Sequence, residues 1–332
     1  MSTPRALILG CAGPQLSRSE RAFFADAQPW GFILFGRNIQ APDQLRALVA
    51  DLRAAVGRAA PVLVDQEGGR VQRLAPPHWF GWMPPLDQGA LVLEPVRAMY
   101  LRGRVIAAEL TAAGIDVNCA PLADIARPET HVFLRNRCYG DTPEDVTARA
   151  RAMADGLMDG GVLPVLKHLP GHGRARVDSH MALPVVDAGL DALKDTDFAP
   201  FRALSDLPLG MTGHLRFPKL DPQAPVTTSP TLIALIRERL GFDGALMTDD
   251  ISMSALRGPV AARAEAALAA GCDLVLHCNG APHEMAALAE ICPPLSGEAA
   301  RRCDAALAQR RAPKPDTLED LAAAYAALLP EG

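Results

Sequence analysis

The chain has 332 residues, of which 49% are hydrophobic and 21% charged, a balance typical of a globular protein with a large core. Its formal net charge is −5, and no run of basic residues with interleaved aromatics occurs, so we expect no nucleic-acid partner. No stretch approaches the roughly 18 uninterrupted apolar residues of a membrane-spanning helix, so we expect no membrane partner either.

The N-terminal apolar run, 6–11, is too brief for a signal peptide and predicts a strand. The seven cysteines are scattered along the chain and are never arranged as C-x-x-C. That distribution disfavours both a disulfide framework and a zinc knuckle. Small buried thiols of a reducing compartment are the simpler interpretation, so we expect a cytoplasmic protein.

Short apolar runs rich in Val, Ile and Leu recur along the chain, with segments of helical periodicity between them. Such runs predict parallel strands that are buried on both faces. The length allows two small domains or one large barrel, and eight βα units favour a single (β/α)8 TIM barrel over residues 1–332. The predicted strands are 6–11, 32–35, 61–65, 116–120, 163–168, 207–212, 245–249 and 273–277.

The segments between these runs predict helices, among them 43–56, 96–113, 143–158, 230–240 and 259–270. Each of these is followed or ended by a glycine, which predicts a left-handed helix cap. The glycines are Gly57, Gly114, Gly160, Gly241 and Gly271. The alanine-rich remainder from about residue 282 predicts further helices that pack on the barrel exterior.

Polar residues end several of the predicted strands. In a barrel of this kind, the C-terminal strand ends surround the active site. We therefore expect five side chains from four strands to face one cavity, namely Asp65, Lys167, His168, His214 and Asp249. Asp250 follows Asp249 directly, and neighbouring side chains of an extended segment point to opposite faces. Only one of the two carboxylates is expected at the cavity centre.

The segment after the fifth strand combines histidines with glycines that allow tight turns. One residue separates Asp178 from His180, so both side chains can point the same way. The carboxylate could then hold the imidazole in the orientation of a catalytic base. Two alternatives stay open at this point. His168, His172 and His180 could bind a metal, or the segment could be a polar loop held by hydrogen bonds.

The chain resembles glycoside hydrolase family 3, and within it the bacterial single-domain β-N-acetylglucosaminidases of peptidoglycan recycling. The resemblance extends from the first predicted strand to the helix after the eighth. It departs from the usual pattern at Cys138 and Tyr139, where Ser and Phe are common, and at Gly213, where Ala is common. The matching segments are VDQEGGRVQR (64–73), NCAPLAD (118–124), RCYGD (137–141), KHLPGHG (167–173), DSH (178–180), MTGH (211–214) and MTDDISM (247–253).

The resemblance implies roles for some of the matching residues. Asp249 corresponds to a nucleophile that forms a covalent glycosyl-enzyme. His180, held by Asp178, corresponds to the general acid and base. Arg70 and His214 are implied to line or support the pocket. The implied sugar-binding residues are Asp65, Arg73, Arg137, Lys167 and His168.

The implied activity is that of a retaining exo-β-N-acetylglucosaminidase acting on muropeptides, with no metal and no other cofactor. Its expected partner is a small GlcNAc-containing carbohydrate, and we expect a monomer. N-acetylglucosaminide is preferred over glucoside because β-glucosidases of the family place a glutamate acid on a second domain, whereas this chain has the Asp-Ser-His loop. The alternatives are a retaining β-glycosidase of other sugar specificity, a catalytically silent sugar-binding protein and a metal-dependent barrel hydrolase.

Overall fold

The computed structural model describes residues 3–179 and 181–330. Within these residues, eight parallel strands form a closed barrel. The strands are β1 (Arg5–Gly10), β2 (Pro29–Leu34), β3 (Val62–Val64), β6 (Val117–Asn118), β7 (Leu163–Leu169), β8 (Leu209–Thr212), β9 (Ala245–Asp250) and β10 (Leu274–His277). Their order around the ring is β1, β10, β9, β8, β7, β6, β3 and β2. All eight predicted strands overlap barrel strands. The prediction of a single (β/α)8 barrel is confirmed, and the two-domain alternative is wrong.

A separate antiparallel hairpin follows β3 directly and consists of β4 (Gln66–Gly68) and β5 (Val71–Gln72). It stands at the C-terminal end of the barrel strands. Asn118 of β6 joins it to the barrel, because its side-chain amide accepts a hydrogen bond from the Gln66 N–H at 2.9 Å and donates one to the Gln66 carbonyl at 3.0 Å. The hairpin is thereby fixed to the barrel rim.

Helices surround the barrel, and all five predicted helices are present. The α-helices up to β8 are α1 (Arg18–Ala27), α2 (Pro42–Val56), α3 (Pro85–Leu91), α4 (Pro95–Ala112), α5 (Val132–Arg135), α6 (Pro143–Asp159), α7 (Leu190–Leu193) and α8 (Ala199–Ala203). Those after β8 are α9 (Pro230–Ala234), which continues as a π-helix over Leu235–Arg239, then α10 (Val260–Ala270), α11 (Pro282–Ile291), α12 (Gly297–Ala308) and α13 (Leu318–Ala326).

Four of the five predicted left-handed glycines have a positive φ, and the prediction for Gly160 is wrong. Gly160 has a φ of −92° and still donates its N–H to carbonyls of the preceding turn, so the left-handed residue is the next one, Gly161, with a φ of 83°. A side chain at Gly160 would approach the Cβ of Ala107 to 2.2 Å. Gly160 is therefore required by the close contact between α6 and α4 and not by its backbone angles.

The core has two parts. One lies between the strands and the surrounding helices, and the other fills the barrel with inward side chains such as Ile8, Leu163 and Met247. The helices after residue 282 were expected to pack on the barrel exterior. One of them, α12, also contributes Cys303 and Ala306 to the interior part of the core. The barrel interior is thus packed and leaves its open end at the C-terminal side of the strands. Among the described residues, no helix has the length and apolarity to cross a membrane.

Candidate active site

A cavity of about 370 Å³ opens at the C-terminal ends of the barrel strands. It is where this fold places active sites, because the βα loops surround that end of the barrel. The cavity brings together six of the predicted site residues, Asp65, Arg73, Arg137, Lys167, His168 and Asp249. Its wall also includes Phe35, Arg37, Arg70, Phe133, His172, Ser179, Asp250, Met253, Cys278 and Asn279.

Asp65 and Lys167 pair across the cavity wall. The ammonium of Lys167, on β7, donates to the Asp65 carboxylate at 2.8 Å, and the Arg73 guanidinium lies 3.4 Å from the other carboxylate oxygen. Burial alone would raise the pKa of Asp65, but these two cations outweigh it and hold that pKa well below its usual range. The same pairing keeps the pKa of Lys167 above its usual range despite burial. Both groups are therefore charged at neutral pH.

Glu67 lies behind this pair and was assigned no role from the sequence, although it stands within the segment 64–73. Its carboxylate accepts two hydrogen bonds from Arg137, at 2.9 and 2.8 Å, and its Oε1 lies 2.7 Å from the Lys167 ammonium. Two of the three guanidinium nitrogens of Arg137 are thus occupied by Glu67. Among the described residues the remaining nitrogen, Nη1, donates no hydrogen bond, so Arg137, which lines the cavity, keeps N–H groups for a ligand.

Asp124 orients both histidines of the segment 167–173 and was likewise assigned no role from the sequence. One carboxylate oxygen lies 2.7 Å from Nδ1 of His168, and the other accepts the backbone N–H of His172 at 2.6 Å. Burial opposes the charge of Asp124, but the neighbouring His168 lowers its pKa. An ionised carboxylate only accepts, so Nδ1 of His168 carries the proton. The ring itself lines the cavity.

Asp249 and Asp250 end β9 and have different surroundings. The Asp249 carboxylate accepts one hydrogen bond within the described residues, from the Asp250 N–H at 2.8 Å. The Asp250 carboxylate accepts the Ser252 hydroxyl at 2.7 Å and the backbone N–H groups of Ser252 and Cys278 at 3.1 and 3.2 Å. Asp250 therefore fixes the loop after β9. Asp249 keeps a carboxylate oxygen open to the cavity.

The charge of Asp249 is stabilised by its neighbours. Burial opposes ionisation, but His214, His168 and the Asp250 N–H together lower the pKa of Asp249 below its usual value. His214 does not line the cavity. Its Nε2 donates to the Asp250 carbonyl at 3.0 Å, and its Nδ1 lies 2.7 Å from the Thr227 hydroxyl. It supports the backbone that carries both aspartates.

The loop between β7 and α7 contains the predicted acid and base. Ser179 is buried and lines the cavity, whereas Asp178 is partly exposed and its carbonyl accepts the N–H groups of Met181 and Ala182. The predicted general acid, His180, lies outside the described residues. Within the described part of the chain, no group of three or more His, Cys, Asp or Glu side chains could hold a metal ion.

The family and the sequences that the chain matches are all of glycoside hydrolases. Residues 5–309 match the Glycosyl hydrolase family 3 N terminal domain. A beta-hexosaminidase of Chromobacterium violaceum is 37% identical over 345 residues, which cover 99% of this chain and 95% of the relative. A beta-hexosaminidase of Methylococcus capsulatus is 40% identical over 273 residues, which cover 80% of each chain.

Solved structures agree with these relatives. NagZ from Neisseria gonorrhoeae in complex with N-trifluoroacetyl-D-glucosamine superposes with a TM-score of 0.87 at 29% identity, covering 98% of this chain and 97% of that one. NagZ from the same organism in complex with zinc ion gives a TM-score of 0.85 at 28% identity, covering 98% and 97%. A glycoside hydrolase family 3 beta-N-acetylglucosaminidase from a Paenibacillus species gives 0.81 at 28% identity, covering 98% of this chain and 62% of that one.

Proposed function

Since the chain belongs to glycosyl hydrolase family 3 and is a glycoside hydrolase of the β-N-acetylhexosaminidase type, we propose that it is a retaining exo-enzyme that releases terminal, non-reducing N-acetylglucosamine from peptidoglycan fragments. It acts in the cytoplasm, as a monomer and without a cofactor. The N-acylated sugar is supported by the N-trifluoroacetyl-D-glucosamine bound to the gonococcal relative. The peptidoglycan fragment is supported by the motifs that resemble the recycling enzymes.

The observation that carries the proposal is the environment of Asp249. A nucleophile in glycoside hydrolysis must be ionised and must face the anomeric carbon. Asp249 lines the cavity, and its pKa is lowered by His214 and His168 against the effect of burial. Asp65, Lys167 and Arg137 line the same cavity with charged hydrogen-bonding groups suited to sugar hydroxyls. The cavity volume is at the small end of ligand pockets, which range over about 300–1,000 Å³, and suits one terminal sugar.

The proposed reaction has two displacements. In the first, an Asp249 oxygen bonds to the anomeric carbon, the bond from that carbon to the leaving oxygen breaks, and His180 gives its proton to the leaving oxygen. In the second, His180 takes a proton from water as the water oxygen bonds to the same carbon, and the bond to Asp249 breaks. Asp178 holds the imidazole during both steps. As the base of the second step, a neutral histidine avoids the repulsion that a second carboxylate would exert on the Asp249 carboxylate as it is released.

The sugar would contact hydrogen-bonding groups that the ion pairs among Asp65, Glu67, Arg137 and Lys167 leave unused. Nη1 of Arg137 and the remaining N–H of Lys167 can donate to sugar hydroxyls. Nε2 of His168 is the ring nitrogen that Asp124 leaves open for a hydroxyl. Asp65 is held in place by Lys167 and Arg73, so that its orientation does not depend on the ligand. Such preorganisation lowers the entropy lost on binding.

The decisive test is covalent labelling with a slow fluorosugar analogue of N-acetylglucosamine, followed by peptide mass spectrometry. We expect a label on Asp249 and none on Asp250, with Asp250→Asn still labelled and Asp249→Asn not labelled. Wild-type protein should also release nitrophenol from nitrophenyl β-N-acetylglucosaminide much faster than from the β-glucoside. Label on another residue, or preferred hydrolysis of the glucoside, would contradict the proposed nucleophile or sugar respectively.

The fragment specificity needs its own measurement. We compare kcat/KM for three substrates. Two are muropeptide sugars, one with and one without the stem peptide, and the third is chitobiose, which lacks muramic acid. We expect the muropeptides to be cleaved faster than chitobiose. Equal cleavage of all three would assign the enzyme to general β-N-acetylglucosaminide hydrolysis.

A further inference from the structure

We propose that His172 is a substrate-binding residue whose imidazole hydrogen-bonds a hydroxyl group of the sugar in the cavity. This inference rests on the proposed function, because it assumes that a glycoside occupies the cavity. No role was assigned to this histidine except as one of three candidate metal ligands. Within the described residues, no group of three or more His, Cys, Asp or Glu side chains could hold a metal ion.

The first observation is that His172 has unused hydrogen-bonding groups. Its side chain lines the cavity and is only 1% exposed, yet neither ring nitrogen has a hydrogen-bond partner within residues 3–179 and 181–330. Other buried polar side chains of this wall are bonded, namely Arg137 to Glu67, Lys167 to Asp65 and His168 to Asp124. Burying a polar group without a hydrogen-bond partner costs free energy. A ligand group that supplies the missing partner therefore makes the free energy of binding more favourable.

The second observation is that the position of the ring is fixed before any ligand binds. The backbone N–H of His172 donates to the buried Asp124 carboxylate at 2.6 Å. The ring packs edge-on against His168, with centroids 5.4 Å apart, and against Phe133, with centroids 5.7 Å apart. A side chain at the next residue, Gly173, would approach the Ile125 carbonyl oxygen to 2.2 Å, so the backbone there lies tight against its neighbour. A ring held in this way loses little entropy on binding.

The third observation is the charge state of the ring. Burial, together with the neighbouring His168, lowers the pKa of His172 to about 3, so the imidazole is neutral at neutral pH. A neutral imidazole presents one N–H donor and one acceptor nitrogen. A sugar hydroxyl can accept from the first or donate to the second. A carboxylate or phosphate would need donors only, so the hydroxyl is the matching ligand group.

The test uses His172→Phe, because phenylalanine keeps a planar ring against Phe133 and His168 while removing both nitrogens. The substrates are nitrophenyl β-N-acetylglucosaminide and its deoxy analogues lacking, in turn, each free ring-carbon or exocyclic hydroxyl. We expect the variant to lose up to about tenfold in kcat/KM on the parent sugar, the effect of one hydrogen bond. For the deoxy analogue that lacks the hydroxyl bound by His172, wild type and variant should have the same kcat/KM. An identical loss on every substrate would overturn the proposal.

Two further variants separate binding from packing. Phe133→Leu changes the packing of the His172 ring without removing a hydrogen-bonding group, so it should alter parent and deoxy substrates by the same factor. His172→Gln keeps a donor and an acceptor and should recover part of the loss on the parent sugar. If His172→Phe fails to fold, a crystal structure of wild-type protein with bound N-acetylglucosamine tests whether His172 hydrogen-bonds the sugar. A sugar hydroxyl within about 3.2 Å of a His172 nitrogen supports the proposal, and a ring without sugar contact refutes it.

The result does not depend on the identity of the sugar. If wild-type protein cleaves a different nitrophenyl glycoside and not the N-acetylglucosaminide, the proposed function fails, and the same deoxy series is built on the glycoside that is cleaved. A hydroxyl-specific effect of His172→Phe would then still support the binding role. A uniform effect would refute that role even where the proposed function holds.

Discussion

Arg137 holds the fully buried carboxylate of Glu67 with two hydrogen bonds, although the two residues are 70 positions apart in the sequence. The same carboxylate lies 2.7 Å from the Lys167 ammonium. The two cations that are expected to bind the sugar therefore share one buried anion. Removing that anion takes from the buried Arg137 the carboxylate that it pairs with and from Lys167 one of its two paired carboxylates, which is unfavourable in a site shielded from water.

Glu67→Gln should therefore destabilise the protein and weaken sugar binding. We expect the free energy of unfolding to fall by about 3 kcal/mol, because one member of a buried charge network loses its charge. Urea denaturation followed by circular dichroism measures this, and KM should rise in parallel. Asp243→Asn is the matched control, since the exposed Asp243 carboxylate pairs with Arg301 and Arg302 at the surface and should change stability by less than about 1 kcal/mol. Equal effects of the two variants would contradict the prediction.

His180→Ala should separate substrates by their leaving groups. A general acid is needed when the leaving oxygen is a poor leaving group, and little needed for nitrophenolate. We expect the variant to lose at least about a hundredfold in kcat on a natural disaccharide and clearly less on the nitrophenyl glycoside. Asp178→Asn should follow the same pattern with smaller losses. The rates are measured by released nitrophenol and by chromatography of the sugar products, and equal losses on both substrates would argue against the acid role.

Arg102 should be a structural support of the hairpin β4–β5. Its buried guanidinium donates to the Glu67 carbonyl, the Met83 carbonyl and the Gln88 side chain, and it lies 4.9 Å from the Trp82 ring. Arg102→Met leaves these acceptors unsatisfied, so we expect the free energy of unfolding to fall by about 3 kcal/mol.

The control for Arg102 lies on the same helix. Arg97 is 59% exposed at its side chain and pairs with Glu94 on the surface, so Arg97→Met should cost less than about 1 kcal/mol. Both variants are compared by urea denaturation, and KM for the nitrophenyl glycoside should rise only in Arg102→Met. A stable Arg102→Met protein with unchanged KM would show that the hairpin holds its position without this contact.

Glu109 should make stability depend on pH. Its Oε1 accepts the Phe80 N–H at 2.6 Å, its Oε2 has no partner within the described residues, and burial raises its pKa from 4.5 to about 7. The folded chain therefore holds this proton more tightly than the unfolded chain, and stability is lost as pH rises from about 4.5 to about 7.

Glu109→Gln should remove that part of the pH dependence. The amide stays neutral, so we expect the variant to be more stable than wild type at about pH 8, by about 1 to 3 kcal/mol, and to differ little at about pH 5. Urea denaturation at a series of pH values measures both curves. Parallel curves for the two proteins would show that Glu109 has an ordinary pKa in solution.

Chelation should leave the activity unchanged. The proposed steps use a carboxylate nucleophile and an imidazole acid, and neither needs a Lewis acid. Protein dialysed against EDTA should hydrolyse the nitrophenyl glycoside at the rate of untreated protein. A zinc hydrolase treated in parallel provides the control. Loss of activity that added zinc restores would favour the metal-dependent alternative.

Much of the fold could be predicted from the sequence because its signals are local. A strand buried on both faces appears as a short apolar run, and a surface helix appears as a run with helical periodicity. The eight strands and five of the helices between them were therefore identifiable. Barrel topology then places every strand end at one mouth, which is why Asp65, Lys167 and Asp249 could be expected together. The error at Gly160 has a tertiary cause, since the contact with Ala107 on another helix requires that glycine.

The sequence by itself determined that four of the five expected side chains stand at the barrel mouth, because a strand end shows as a change from apolar to polar residues within a short window. His214, the fifth, does not line the cavity, and the sequence assigned no role to Glu67 or Asp124. Only the tertiary structure decided how their charges pair. Glu67 with Arg137 and Lys167 with Asp65 join positions 70 and 102 residues apart. Asp124, in the loop after β6, bonds the ring of His168 on β7 and the backbone N–H of His172 in the loop after it. Such pairs depend on strand register and side-chain direction across the barrel, and no local pattern records either.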